Sequence, residues 1–160
     1  MSTSETVINQ LEHALFGRDL DSLQKILAYD DRLSKLWRLI EVQYSSLDFN
    51  LQAASRQCGM SRNNLNRLLR RVTEGFTYTE LLTAYRVYRS VRLALGANMS
   101  FTEIALQCGF EGSSGYSRTV KRLLSIPPGK LLPRGKNYRR ELSLPPRMAV
   151  SPTLSLPQKS

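Results

Sequence analysis

Histidine and cysteine are nearly missing from this chain: among its 160 residues it has one histidine, His13, and two cysteines, Cys58 and Cys108. Two thiols are too few for a disulfide framework or for a zinc site of their own, and His13 is far from both in sequence. That removes most nucleophile–base pairs and metal-ligand sets, so no enzymatic activity, cofactor or metal is expected. No apolar run approaches the roughly 18–20 residues that cross a bilayer. The N-terminus, MSTSETVINQLEHALF, has no basic segment ahead of its apolar part and carries acids within it. It does not read as a secretory signal, and the cytoplasm is the expected compartment. Sustained alternation of period two is also missing, which argues against a sheet.

Acidic residues are scarce where basic ones gather. The formal net charge is +10, and it is uneven. Residues 1–43 hold five Lys/Arg and seven Asp/Glu, residues 44–132 twelve and five, and residues 133–160 six and one. The middle and the tail therefore carry the basicity. Such a chain favours a polyanionic partner, nucleic acid first and an anionic membrane surface second.

What fills the chain is helical periodicity. Val7, Ile8, Leu11 and Leu15 repeat at helical spacing until Gly17, and Ser2 with Glu5 offers a capping box. Asp19 or Asp21 can cap a second short helix, and Asp30-Asp31 opens a third with Leu33, Leu36, Trp37, Ile40 and Tyr44 as its stripe. Asp48 or Asn50 precedes a helix to about Gln57. Ser61 caps one to about Val72, a long helix runs from about Thr79 to Leu95, and Ser100 caps one to Gln107. A last helix runs from about Ser113 to Leu124, ended by Ile126-Pro127-Pro128. From Pro133 the chain turns basic and then Ser/Pro-rich, which reads as a disordered tail.

Two segments repeat. Ala54-Ser55-Arg56-Gln57-Cys58-Gly59-Met60 lies fifty residues before Ile104-Ala105-Leu106-Gln107-Cys108-Gly109-Phe110. Past the turn the offset is 51, and Leu65 matches Tyr116 and Arg67 matches Arg118. Two helices that cross over a short turn need a small residue where their backbones meet, here Ser55 and Ala105. The turn needs a residue that tolerates positive φ, here Gly59 and Gly109. Met60, Phe110, Leu65 and Tyr116 are the apolar plugs, and the paired cysteines read as small buried hydrophobes. The pattern is an all-α fold with two helix-turn-helix units, about residues 51–72 and 101–124.

With these units, the linker Arg86-Val87-Tyr88-Arg89-Ser90-Val91-Arg92-Leu93 and the ending Ile126-Pro127-Pro128-Gly129-Lys130, residues 31–132 resemble the DNA-binding domain of the AraC/XylS family. The resemblance implies seven helices and two homeodomain-like helix-turn-helix subdomains held by a central helix. It also implies double-stranded DNA as the partner, recognition helices in successive major grooves, and transcription regulation, with activation and RNA polymerase as further expectations. The base-reading positions of the family fall on Asn63, Asn66 and Arg67 in the first unit and on Ser114, Ser117 and Arg118 in the second. Arg62, Arg70, Arg71, Lys121 and Arg122 are the phosphate candidates.

The two units are not equal in chemistry. Asn pairs bidentately with adenine and Arg with guanine, whereas short serines reach poorly across a groove. No acid lies between Ser61 and Thr73, while Gly112 and Gly115 give the second helix no side chain at two positions. The first unit is expected to read and the second to clamp. A single chain with a rigid linker then favours an asymmetric site with half-sites about one turn, roughly 34 Å, apart. Residues 1–30 are too few for the large ligand-binding domain of many relatives, so no small-molecule ligand is expected. They form an amphipathic hairpin that either packs on the DNA-binding domain or docks a co-regulator or a second copy through residues 1–29. A protein-interaction module that keeps the fold without binding DNA is the alternative function. RNA lacks a stacking aromatic set here, a membrane surface does not match where the basic residues fall, and a repair enzyme needs a reactive or metal-bound cysteine cluster.

Overall fold

The computed structural model describes residues 3–96 and 98–127, which form eight helices with no strand among them. They are α1 (Thr3–Phe16), α2 (Leu20–Leu27), α3 (Asp31–Gln43), α4 (Leu51–Cys58), α5 (Arg62–Thr73), α6 (Tyr78–Gly96), α7 (Phe101–Gln107) and α8 (Ser113–Leu124). Most begin where a short polar side chain meets a free backbone N–H. Asp19 accepts from Ser22 N, Asp30 from Arg32 N and Leu33 N, Asn50 from Ala53 N, and Ser61 from Asn64 N. Ser100 and Glu103 form a reciprocal capping box on α7. Thr77 and Glu80 do the same ahead of α6, each side chain accepting from the other's backbone N–H. The sequence left Asp19 against Asp21 and Asp48 against Asn50 open; Asp19 and Asn50 are the caps. The capping box expected at Ser2 lies outside the described residues.

α6 is the organising element. Leu81, Leu82, Ala84, Tyr85, Val87, Tyr88, Val91 and Ala94 are all buried, so the helix turns a broad apolar surface inward. It packs against α1, α5, α7 and α8. Its ring of partners includes Trp37 of α3, edge-on to Tyr85 at 5.3 Å between centroids.

The N-terminal pair shares this core. α1 packs on α6 and α8, and α2 on α3 and α5. Leu11, Leu15, Phe16, Leu23 and Leu27 are fully buried. Glu12 fixes the arrangement: Oε1 accepts from Leu20 N at 3.0 Å and Oε2 from the Tyr88 hydroxyl at 3.0 Å, while Arg92 donates to that same hydroxyl. Of the two readings of residues 1–29, packing is the one these contacts favour. Deleting residues 1–29 should therefore strip apolar cover from α3, α5, α6 and α8. The expected result is a large fall in Tm and a loss of soluble protein, measured by thermal melting and sedimentation.

The two turns repeat their closing hydrogen bonds. Met60 N donates to Ser55 O and Phe110 N to Ala105 O, both at 2.9 Å. Gly59 N reaches Arg56 O at 3.2 Å and Gly109 N reaches Leu106 O at 3.3 Å. Ser55 and Ala105 are buried at the crossings, as their size predicts. Both glycines are left-handed, with φ of 71° and 95°. The resemblance implies seven helices from residue 31 onward. Six lie between Asp31 and Leu124; a seventh would follow Leu124, and residues 128–132 and the tail from Pro133 lie outside the described residues.

The glycines differ in surroundings. A Cβ on Gly59 meets open space, but one on Gly109 would stand 2.7 Å from the Tyr44 carbonyl and 2.7 Å from Arg86 Nε. Gly59→Ala should thus cost only the left-handed backbone, about 1–2 kcal/mol. Gly109→Ala adds a clash with backbone and should cost about 3 kcal/mol or more. Urea unfolding of the two variants measures the gap.

Candidate nucleic-acid interface

α5 sorts its residues by side. Leu65 and Leu69 are buried and Leu68 and Val72 half-buried against the core, whereas Arg62, Asn63, Asn64, Arg67, Arg70 and Arg71 are exposed. Asn63, Asn66, Arg67, Arg70 and Arg71 line one open concavity of about 620 Å³. A smaller one, about 310 Å³, continues over Leu51, Ser61, Arg62 and Asn63. The first six polar candidates of the sequence reading are thus brought together on one surface. Ion pairs among the described residues join Arg18 to Glu74, Lys25 to Asp21 and Arg32 to Asp30, so none neutralises this surface.

Two contacts within it were not foreseen. Asn66 is half-buried, and its Oδ1 accepts from the backbone N–H of Tyr78 at 2.8 Å. Asn64, which the sequence reading passed over, accepts from Arg67 Nη1 at 2.8 Å. Its position three residues before Arg67 was the available signal, since such pairs face each other on a helix. Asn66 gave no such signal, because its partner lies twelve residues away on another helix.

α8 is plainer. Ser114, Arg118, Lys121 and Arg122 are exposed, and Ser113 and Ser117 half-buried. Its N-cap is Gly112, which corresponds to Ser61 and makes no side-chain cap bond. The Gly115 position faces Arg118 Nη2, 3.9 Å from where a Cβ would lie.

The two units are fastened to α6 by buried polar contacts. The Tyr78 hydroxyl donates to Phe49 O at 2.6 Å, just before α4. The Tyr116 hydroxyl donates to Ser90 Oγ at 2.9 Å, and Ser90 in turn donates to Val87 O. Burial pushes the Tyr116 phenol up to about 12, with the Ser90 bond working against it. Arg86 donates from Nε to Tyr44 O at 2.7 Å and from Nη2 to Ser46 O at 2.8 Å, capping the end of α3. Burial pulls its pKa below the ordinary value.

Both cysteines are buried and free. Burial pushes the Cys108 thiol up to about 11 and moves Cys58 the same way. No group of three metal-ligating residues occurs among the described residues. With so little thiolate, Cys108 should be alkylated at pH 8 at least about a hundredfold more slowly in the native protein than after unfolding. Mass spectrometry of timed iodoacetamide reactions gives the ratio.

Two tyrosine-anchored helix-turn-helix units with bare, cationic second helices define a DNA-binding protein. A family model described as a helix-turn-helix domain matches residues 54–134. The chain is 30% identical over 152 residues to the HTH-type transcriptional activator RhaR of Salmonella arizonae, and equally so to that of Salmonella newport. Each alignment takes in 81% of this chain and 54% of the relative, so the chain spans about half the length of the curated relatives it matches. Its fold is similar to that of two solved domains. One is the C-terminal domain of the two-component response regulator yesN from Fusobacterium nucleatum, with TM-score 0.58 and 24% identity over 69% of this chain and 99% of that one. The other is the C-terminal domain of AraT, a response regulator from Geobacillus stearothermophilus, with TM-score 0.60 and 20% identity over 73% and 90%. The chain belongs to the AraC-type helix-turn-helix family of DNA-binding transcription regulators. No described helix is long and apolar enough to cross a membrane.

Proposed function

We propose that this chain is a sequence-specific transcription activator that reads DNA with α5 and clamps it with α8. The observation that carries the reading is the surface of α5. Asn63, Asn66 and Arg67 share one concavity with Arg70 and Arg71 and meet no carboxylate there. In a major groove such side chains reach base edges, while flanking arginines hold phosphates. On α8, Ser114, Ser117 and Arg118 take the base-facing positions, with Lys121 and Arg122 toward the backbone. The serines are short, and the uncapped N–H groups behind Gly112 favour a phosphate. The name of the RhaR relatives supports activation, which makes RNA polymerase the expected protein partner and the bacterial nucleoid the expected location.

Binding-site selection with the full chain, followed by gel shifts at several salt concentrations, tests this. One sharp and one shallow half-site are expected. Arg67→Ala should cost about 1–3 kcal/mol and relax one base position. Lys121→Ala should weaken all sequences alike and lower the salt slope by about 1. Absence of any DNA shift would leave the fold serving protein contacts alone. Equally sharp half-sites would end the division of labour.

A further inference from the structure

The side chains on α5 are not free to present every hydrogen-bonding group they own, and this bears on which base they select. The inference rests on the reading of α5 as the base-reading helix. Asn66 Oδ1 accepts from Tyr78 N at 2.8 Å. Only an oxygen can meet a backbone N–H, so chemistry fixes the amide: oxygen toward the start of α6, NH2 away from it. Asn66 also lines the concavity shared with Asn63 and Arg67. Bidentate pairing with adenine needs the amide oxygen to accept from the adenine amine while NH2 donates to N7. With its oxygen held at the helix start, Asn66 offers donors alone.

Arg67, the next residue, has no acceptor at all. Its Nη1 donates to Asn64 Oδ1 at 2.8 Å, and the helix turn that carries Asn64 is capped by the bond from the Asn64 backbone N–H to Ser61 Oγ at 3.1 Å. The guanidinium is therefore held from one side, with its remaining N–H groups unspent. Two adjacent side chains both present donors. Guanine's major-groove edge has two acceptors, N7 and O6, whereas adenine sets an amine donor beside one acceptor, cytosine presents an amine donor alone and thymine has a single acceptor beside a methyl.

We propose that α5 selects guanine at the base positions faced by Asn66 and Arg67, and that Asn64 is a positioning residue that holds the Arg67 guanidinium for this contact. Asn63, exposed with both amide groups available, is the one asparagine of the three that keeps the adenine pairing. The second unit lacks the device. At the offset of 51, Gly115 stands where Asn64 stands, and it gives Arg118 no side chain to lean on.

The test is selection from randomised duplexes with the full chain, as wild type, Asn66→Asp and Asn64→Ala. Asn66→Asp keeps an oxygen for Tyr78 N but replaces the outward NH2 with an acceptor. Wild type should enrich guanine at both positions. Asn66→Asp should keep its Tm and lose guanine preference at one position by roughly tenfold, and Asn64→Ala should blur the other by a similar, roughly tenfold factor. Asn64→Ala removes the partner of the Arg67 guanidinium without removing its charge, so the loss expected is of base preference. Adenine opposite Asn66 in the wild type, or an Asn64→Ala profile as sharp as wild type, overturns the proposal, and the wild-type profile decides even if Asn66→Asp fails to fold. A sharp site without guanine at these positions sinks this inference alone. A wild type that enriches no sequence sinks the reading of α5 with it.

Discussion

A half-buried guanidinium sets the geometry between the two units. Arg86 projects from α6, donates to the Tyr44 and Ser46 carbonyls just past α3, and lies under the turn at Gly109. The end of α3, the middle of α6 and the crossing of α7 with α8 are thereby brought to one point. Removing a cation from water is costly, and the two carbonyls at 2.7 and 2.8 Å are what offset that cost. The absence of a side chain at Gly109 follows from the same contact. The turn is glycine for its backbone angle and also because the Tyr44 carbonyl and Arg86 leave no room.

The rest of the frame is fastened in the same manner, by polar atoms from α6 or its start. Tyr78 holds the segment before α4 by its hydroxyl and α5 by its backbone N–H, and the hydroxyl of Ser90 receives Tyr116 of α8. Apolar burial supplies most of the driving force, but it is non-directional. These bonds give the packed helices fixed angles. A helix anchored at defined atoms presents its outer residues in a defined register.

The internal repeat conceals a difference in chemistry. The turns agree in hydrogen bonds, small residues and left-handed glycines, so the two scaffolds are alike. The outer faces are not: Ser61, Asn64 and Asn66 in one unit stand where Gly112, Gly115 and Ser117 stand in the other. One helix is capped, buttressed and crowded with long polar side chains. The other has a short serine or no side chain at these three positions and no side-chain cap at its start. The two frames agree because a frame depends on packing volume, and the outer surfaces differ because they do not.

The sequence by itself determined the helices, the two crossings and the polar face of α5. Those features are local: periodicity, a cap within three residues, and a glycine where the backbone must turn left-handed. Helix limits came within a residue or two, since hydrogen bonds at the ends depend on near neighbours. Only the tertiary structure decided what residues 5–29 pack against, that Asn66 spends its oxygen on Tyr78, and that Arg86 joins three elements. Each depends on partners twelve to seventy-six residues apart in the chain, a separation that composition and spacing do not encode. Asn66 illustrates the limit well. Its side was legible from helical spacing, but which half of its amide faces outward is set by a backbone N–H on another helix.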